Sequence, residues 1–152
     1  MKGSSLKDAV IDTNVLVSGV LSSAGPPGRI VEWLRSGVLR AVLDGRIFGE
    51  YEDVMLRSEL KLPGREVAIV LRRLRHHARW IEVGPAELAV GLPDPDDAPF
   101  VECARSAAVP LVTGNKRHYP AAVTKGVRVM RPADFVGEKT KEGESLNRRK
   151  QR

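Results

Sequence analysis

Ala9-Val10-Ile11-Asp12-Thr13-Asn14-Val15-Leu16-Val17-Ser18-Gly19-Val20 is the stretch that decides the fold. Ala9 to Ile11 read as a short buried strand, because no polar residue alternates with the apolar ones. The run stops at Asp12. Val15, Leu16, Gly19 and Val20 then recur at helical spacing until Ser22-Ser23-Ala24-Gly25-Pro26-Pro27 breaks the pattern. A strand that ends on a carboxylate and turns at once into a helix opens a β-α unit.

The same alternation continues downstream. A helix is expected from Pro27 to Ser36, with Ile30, Val31 and Leu34 inward and Gly37 as its stop. Val38 to Leu43 reads as a second strand, and Gly45 to Ser58 as a helix carrying Glu50 one turn before Val54. Pro63 can start a helix whose inward stripe is Val67, Val70, Leu71 and Leu74. Strands are expected at Arg79–Val83, Pro110–Thr113 and Val127–Met130, a helix from near Asp97, and a short last helix from Pro132 to Val136. Alternating strands and helices predict an α/β fold with a central, mainly parallel sheet covered by helices on both faces.

At 152 residues, the length suits one domain with a real core, here residues 1–136. Residues 137–152 turn to Lys, Glu, Gly, Ser, Asn and Arg with one Leu, which predicts a disordered basic tail. One cysteine excludes a disulfide framework and fits a reducing cytoplasm. No apolar run is long enough to span a bilayer. Asp8, Asp12 and Asn14 interrupt what a signal peptide would need as its apolar region. The net charge is +6, and Arg65, Arg72, Arg73, Arg75, His76, His77 and Arg79 fall within fifteen positions. An acidic pocket on a basic body suits a metal-dependent enzyme acting on a polyanion, although a basic helix face can also be merely solvated.

Asp12, Glu50, Asp97 and Asn115 lie far apart in sequence, yet each falls where a parallel sheet would gather it at one edge. Plainer roles are open to each alone. Asp12 and Asp97 can cap the helices they precede, Glu50 can be solvated, and Asp94-Pro95-Asp96-Asp97 can be a Pro-kinked turn. Gathered carboxylates repel one another unless a cation holds them. Hard oxygen donors without pairing Cys or His point to Mg²⁺ or Mn²⁺ rather than Zn²⁺. Neither phosphate-binding glycine loop is present, and Pro26-Pro27 removes amide donors from the one Gly-Pro-Pro-Gly turn. His76, His77 and His118 read as surface or phosphate-contacting residues.

Taken together these segments resemble PIN-domain proteins. Val10-Ile11-Asp12-Thr13-Asn14-Val15-Leu16-Val17-Ser18-Gly19 resembles their opening, and Gly49-Glu50-Tyr51-Glu52-Asp53-Val54-Met55-Leu56-Arg57 their mid-chain helix. Asp94-Pro95-Asp96-Asp97-Ala98-Pro99-Phe100-Val101-Glu102-Cys103-Ala104 resembles the third motif, and Leu111-Val112-Thr113-Gly114-Asn115-Lys116-Arg117-His118-Tyr119-Pro120 the fourth. The resemblance runs in order over about residues 7 to 135 and is strongest to the toxins of bacterial toxin–antitoxin pairs. It implies a three-layer α/β/α sandwich and a Mg²⁺- or Mn²⁺-dependent endoribonuclease acting on single-stranded RNA. Asp12, Glu50 and Asp97 would be the metal ligands, with Asn115 beside them where many PIN domains carry Asp. Asp94 and Asp96 would add outer charge, and Thr13, Asn14 or Ser18 would orient Asp12 or a water. Arg65, Arg72, Arg79 and Lys116 are the expected RNA contacts. A homodimer and a protein antitoxin are implied by the family. A catalytically weak PIN domain that binds RNA or a protein is the alternative.

Overall fold

The computed structural model describes residues 7–150. Among the described residues there are five strands and six α-helices: β1 (Lys7–Ile11), α1 (Thr13–Leu21), α2 (Pro26–Ser36), β2 (Leu39–Leu43), α3 (Gly45–Met55), α4 (Gly64–His77), β3 (Arg79–Trp80), α5 (Ala98–Ala107), β4 (Leu111–Val112), β5 (Val129–Met130) and α6 (Pro132–Lys150). The strands form one sheet in the order β3-β2-β1-β4-β5, every neighbouring pair parallel. Helices cover both faces, giving the three-layer α/β/α arrangement.

β1 is the middle strand of the five, and its Ala9, Val10 and Ile11 are fully buried. Its register pairs Ala9 with Ala41 of β2 and Ile11 with Val112 of β4. From β1 the chain winds outward through β2 to β3, then returns to the far side of β1 to lay down β4 and β5. The winding direction therefore reverses between β1 and β4. A crevice opens beyond the carboxyl ends of the strands at such a switch point. The residues following these two strands are Asp12 and Thr113.

The helices start and stop where their local chemistry requires. Pro26 and Pro27 occupy the first turn of α2, where a missing amide costs nothing, and Gly37 ends it in the left-handed region at φ 85°. Asp44 caps α3 by accepting from the Arg46 and Ile47 amides at 3.0 and 3.1 Å. The inward stripe of α4 is Val67, Val70 and Leu74, fully withdrawn from water, with Leu71 half-buried at its margin. Close approach of α1 to α2 depends on Gly19, where a Cβ would lie 2.4 Å from the Pro27 carbonyl oxygen.

Three sequence expectations need correction. The strand expected over Arg79–Val83 is only Arg79–Trp80. It is an exposed edge, and after the Ile81 amide donates to Leu43 O at 2.9 Å the chain leaves the sheet. The helix expected to run to Ser58 ends at Met55, followed by a single 3-10 turn at Ser58–Leu60. The last helix does not end at Val136 but continues to Lys150, in place of the expected disordered tail. Phe135 anchors it, fully buried with its ring 6.4 Å from Trp33. Arg128 pairs with Glu138, and Lys7 and Lys139 both reach Glu142 at 3.5 Å. Composition alone gives no sign of these tethers. The expected first six residues of the domain and residues 151–152 of the tail lie outside the described residues.

Candidate active site

Asp12 leaves β1 at the switch point and is 5% exposed. Although it stands at the head of α1, its side chain makes no capping hydrogen bond, and neither does that of Asp97 at the head of α5. Asp44 and Asp94, by contrast, do cap. The two acids at the sheet edge are therefore not spent on helix ends. Asp12 Oδ2 instead accepts from Thr113 Oγ1 at 2.8 Å and the Tyr119 hydroxyl at 2.9 Å, with Asn14 Nδ2 at 3.4 Å. Thr113 reaches it because Ile11 pairs with Val112, which sets residues 12 and 113 side by side.

Glu50, half-buried on α3, accepts a short hydrogen bond from Thr13 Oγ1. That helix is seated by Tyr51, whose hydroxyl donates to the Ile11 carbonyl one residue before Asp12. Asp97 closes the 3-10 turn Pro95–Asp97 and is 8% exposed. Its Oδ2 is buried without a hydrogen-bond partner, and His118 Nδ1 stands 3.2 Å away without the geometry of a hydrogen bond.

These carboxylates strain one another. Burial pushes the Asp97 carboxyl up to about 6, and the charges of Asp12 and Asp94, with Glu50, add to the rise against the opposing pull of His118. Burial also raises Glu50, helped by Asp12, Asp96 and Asp94, while the Thr13 hydrogen bond opposes. Asp12 is raised by burial too, against the hydrogen bonds from Thr113 and Tyr119. Both tyrosines facing this charge, Tyr51 and Tyr119, are held far above the ordinary phenol range, first by burial and then by Asp12, so each remains a hydroxyl donor.

The donor set is oxygen throughout, and the buried Asp97 Oδ2 accepts no hydrogen bond. In donor chemistry the cluster fits a hard divalent cation. Among the described residues no three His, Cys, Asp or Glu side chains are placed so that they could hold a metal ion together. Asp97 feels the charges of Asp12 and Glu50 across this edge.

An ion-pair clamp stands behind the acids. Arg46 of α3 donates to Asp44 at 2.8 Å and to Glu102 Oε1 at 2.7 Å, and the other oxygen of buried Glu102 accepts from the Ala89 amide at 2.9 Å. One carboxylate thus joins α3, α5 and the loop that leads to Asp94.

Several residues singled out in the sequence stand elsewhere or do less. Ser18 is exposed on α1, and among the described hydrogen bonds its hydroxyl reaches no acid. Asn14 contributes mainly by accepting from the Gly114 amide at 3.0 Å, which ties the first motif to the fourth. Asp94 and Asp96 are exposed and supply charge at the rim. Asn115 is half-buried at the edge, its amide donating to Thr113 Oγ1 at 3.1 Å. Lys116 is exposed and begins the turn Lys116–His118 beside Asp97. Arg65 and Arg72 are exposed on α4, and Arg79 is engaged with Asp8 at 3.3 Å, at the opposite end of β1 from Asp12. Thr113, Tyr119 and Tyr51 are the site residues that sequence reasoning passed over. The β1–β4 register is the signal that finds Thr113; no spacing pattern marks the tyrosines.

A parallel sheet with its acids gathered at the β1–β4 switch point defines an α/β protein with an anionic crevice. The chain belongs to the PIN-domain family, whose model matches residues 8–117. Among solved structures it is similar to VapBC2 from Rickettsia felis bound to a DNA fragment from their promoter, at 12% identity and a TM-score of 0.53, covering 82% of this chain and 98% of that one. It is also similar to PAE2754 from Pyrobaculum aerophilum, at 19% identity and a TM-score of 0.51, covering 86% and 94% of the two chains. At these identities the likeness is one of fold. No curated protein matches the chain. Among the described residues no helix is long and apolar enough to cross a membrane.

Proposed function

We propose that this protein is a Mg²⁺- or Mn²⁺-dependent endoribonuclease that cleaves single-stranded RNA, and that it is the toxin of a bacterial toxin–antitoxin pair working in the cytoplasm as a homodimer. One observation carries the reading. Asp12, Glu50 and Asp97 come from three separate elements and share one edge; burial raises the proton affinity of all three, and the charge of Asp12 raises Glu50 and Asp97 further. A divalent cation held between them would relieve that strain. Asp12, Glu50 and Asp97 would hold that cation, which when bound supplies activation of water and neutralisation of charge on the phosphodiester.

The chain's own residues do the rest. Thr113 and Tyr119 fix the Asp12 carboxylate, and Thr13 fixes Glu50. Lys116 and Arg117, exposed in the turn beside Asp97, offer positive charge to RNA phosphates. Family membership supports hydrolysis of a nucleic acid, and the fold shared with VapBC2 supports a protein antitoxin. The test is cleavage of a labelled single-stranded RNA by the purified chain with Mn²⁺ or Mg²⁺, with chelator, and by Asp12→Asn. Metal-dependent cleavage lost in Asp12→Asn is the expected result, and cleavage that survives both chelator and substitution overturns the reading.

A second reading has its own support in Asn115 and in the lack, among the described residues, of three such side chains placed to hold a metal ion together. It is an RNA- or protein-binding module with little catalysis. RNA bound equally by the parent and Asp12→Asn, with neither cutting it, selects that alternative.

A further inference from the structure

Away from the acids, a cleft of about 630 Å³ opens between α2 and α4, lined by Arg35, Ile69, Arg72, Arg73, His76 and His77. Arg35 is in the last turn of α2, and His76 and His77 are in the last turn of α4. These helices run into β2 and β3, so the cleft sits at the amino edge of the parallel sheet. Asp12, Glu50 and Asp97 occupy the carboxyl edge. The cleft is a separate feature.

Basic side chains at helix carboxyl ends face the negative end of the helix dipole and the free carbonyls, and that accounts for the placing of Arg35, His76 and His77. It does not account for Arg73. Its side chain crosses the α2–β2 turn, where a Cβ on Gly37 would stand 3.1 Å from Nη2, and its Nε is buried with no hydrogen-bond partner. A buried donor without an acceptor is costly, and because Arg73 lines the cleft, an acceptor entering there would satisfy the donor by drawing the side chain outward. Among the described ion pairs, Arg35 alone of this lining has a partner, Glu66 at 2.9 Å. Arg72 and Arg73 therefore bring uncompensated charge to the cleft.

We propose that the cleft is a phosphodiester-binding exosite for a single-stranded nucleic acid. Its volume is within the range of small-molecule sites and well beyond one oxyanion, and Ile69, 37% exposed, offers an apolar surface to a ribose or base. The guanidinium groups meet the phosphate, as bidentate donors do. A basic track leads away from it. Arg65 lies seven residues before Arg72 on the same face of α4, about 10 Å along the helix axis, toward the carboxyl edge where the acids lie. The strand is held at one edge of the sheet and presented at the other. The polymer rests on the function proposed above; the anion site itself does not.

The experiment measures binding of a fluorescent single-stranded RNA to full-length Asp12→Asn protein across a salt series, which removes cleavage from the readout. Arg72→Ala changes an exposed side chain and leaves the fold alone. Arg73→Lys keeps a charged stem over Gly37 but removes the Nε donor. Arg72→Ala should flatten the dependence of log K on log salt by about 0.7, the value of one single-strand phosphate contact. Arg73→Lys should weaken binding several-fold with little change of slope, because charge is kept and the fixed donor is lost. A double variant that binds with the affinity and slope of its parent overturns the exosite and leaves the cleft to an acidic protein or to solvent. No RNA binding by the parent overturns it equally. RNA that is bound with these dependences yet not cut by the wild-type chain sinks the nuclease reading and leaves the exosite standing.

Discussion

Replacing Asp97 by Asn removes one charge from the strained edge while keeping the side chain's shape. Asp97 holds its proton up to about pH 6 in the folded protein, against an ordinary 3.8. The folded state thus binds more protons than the unfolded state between those values, and stability must fall as pH rises through them. The contribution is intact below pH 3.8 and fully lost above about pH 6. At about 1.4 kcal/mol per pH unit the loss comes to roughly 3 kcal/mol. In a chain of this length each kcal/mol moves the melting temperature by roughly 2–4 °C. Asp97→Asn should therefore melt about 6–12 °C above the parent at pH 7.5 in chelator, with the gap closing toward pH 4. Adding Mn²⁺ should narrow or reverse the gap, because the parent binds the cation more tightly. Thermal melts at several pH values, with and without metal, decide it. Equal melting temperatures at pH 7.5, or a gap independent of pH, would refute the claim that burial, with the neighbouring carboxylates, strains the ionised Asp97.

Asn115→Asp adds a carboxylate to the same edge; it should tighten Mn²⁺ binding by calorimetric titration and lower the melting temperature of the metal-free chain. Unchanged affinity would mean that the side chain at 115 faces away from the acids. Tyr119→Phe deletes a buried donor to Asp12 and should cost about 1.5–3 kcal/mol in urea denaturation, the range for hydrogen bonds to charged groups; a loss under about 0.5 kcal/mol speaks against that bond. Gly19→Ala drives a Cβ against the Pro27 carbonyl and Val31 Cγ2, at 2.4 and 2.5 Å. It should destabilise the α1–α2 pair by about 1–3 kcal/mol or more, read as a lowered denaturation midpoint. An unaltered midpoint would contradict the close packing of those helices.

How far the sequence reaches can be judged residue by residue. β1 and α2 are legible because their signals are local: a run of buried apolar residues in one, Pro at the start and Gly at φ 85° at the end of the other. The gathering of Asp12, Glu50 and Asp97 follows from topology, since parallel strands send their carboxyl ends to one edge. The hydrogen bonds of Thr113 and Tyr119 to Asp12 join residues about a hundred positions apart and leave no periodic trace. Ile81 and Val83 alternate as a strand should, yet pairing stops with the Ile81 amide because the neighbouring β2 ends at Leu43. The extension of α6 past Gly137 rests on pairs with Lys7 and Arg128, which a reading of tail composition does not see.

The hydrogen bond from the Ala89 amide to Glu102 bears on where this chain can change length. The segment between Trp80 and Asp94 is fastened in its middle as well as at its ends, with Arg105 donating to the Glu87 carbonyl at 3.3 Å just before that fastening. Residues inserted between Glu82 and Glu87 would be taken up as a larger surface loop, at a closure cost that grows only slowly with length. Residues inserted between Ala89 and Asp94 would instead fall inside the short stretch that sets the turn carrying Asp97. Upstream of Glu87 the loop is free to acquire new sequence, tags or a whole inserted module; downstream of Ala89 its length is part of the acidic edge.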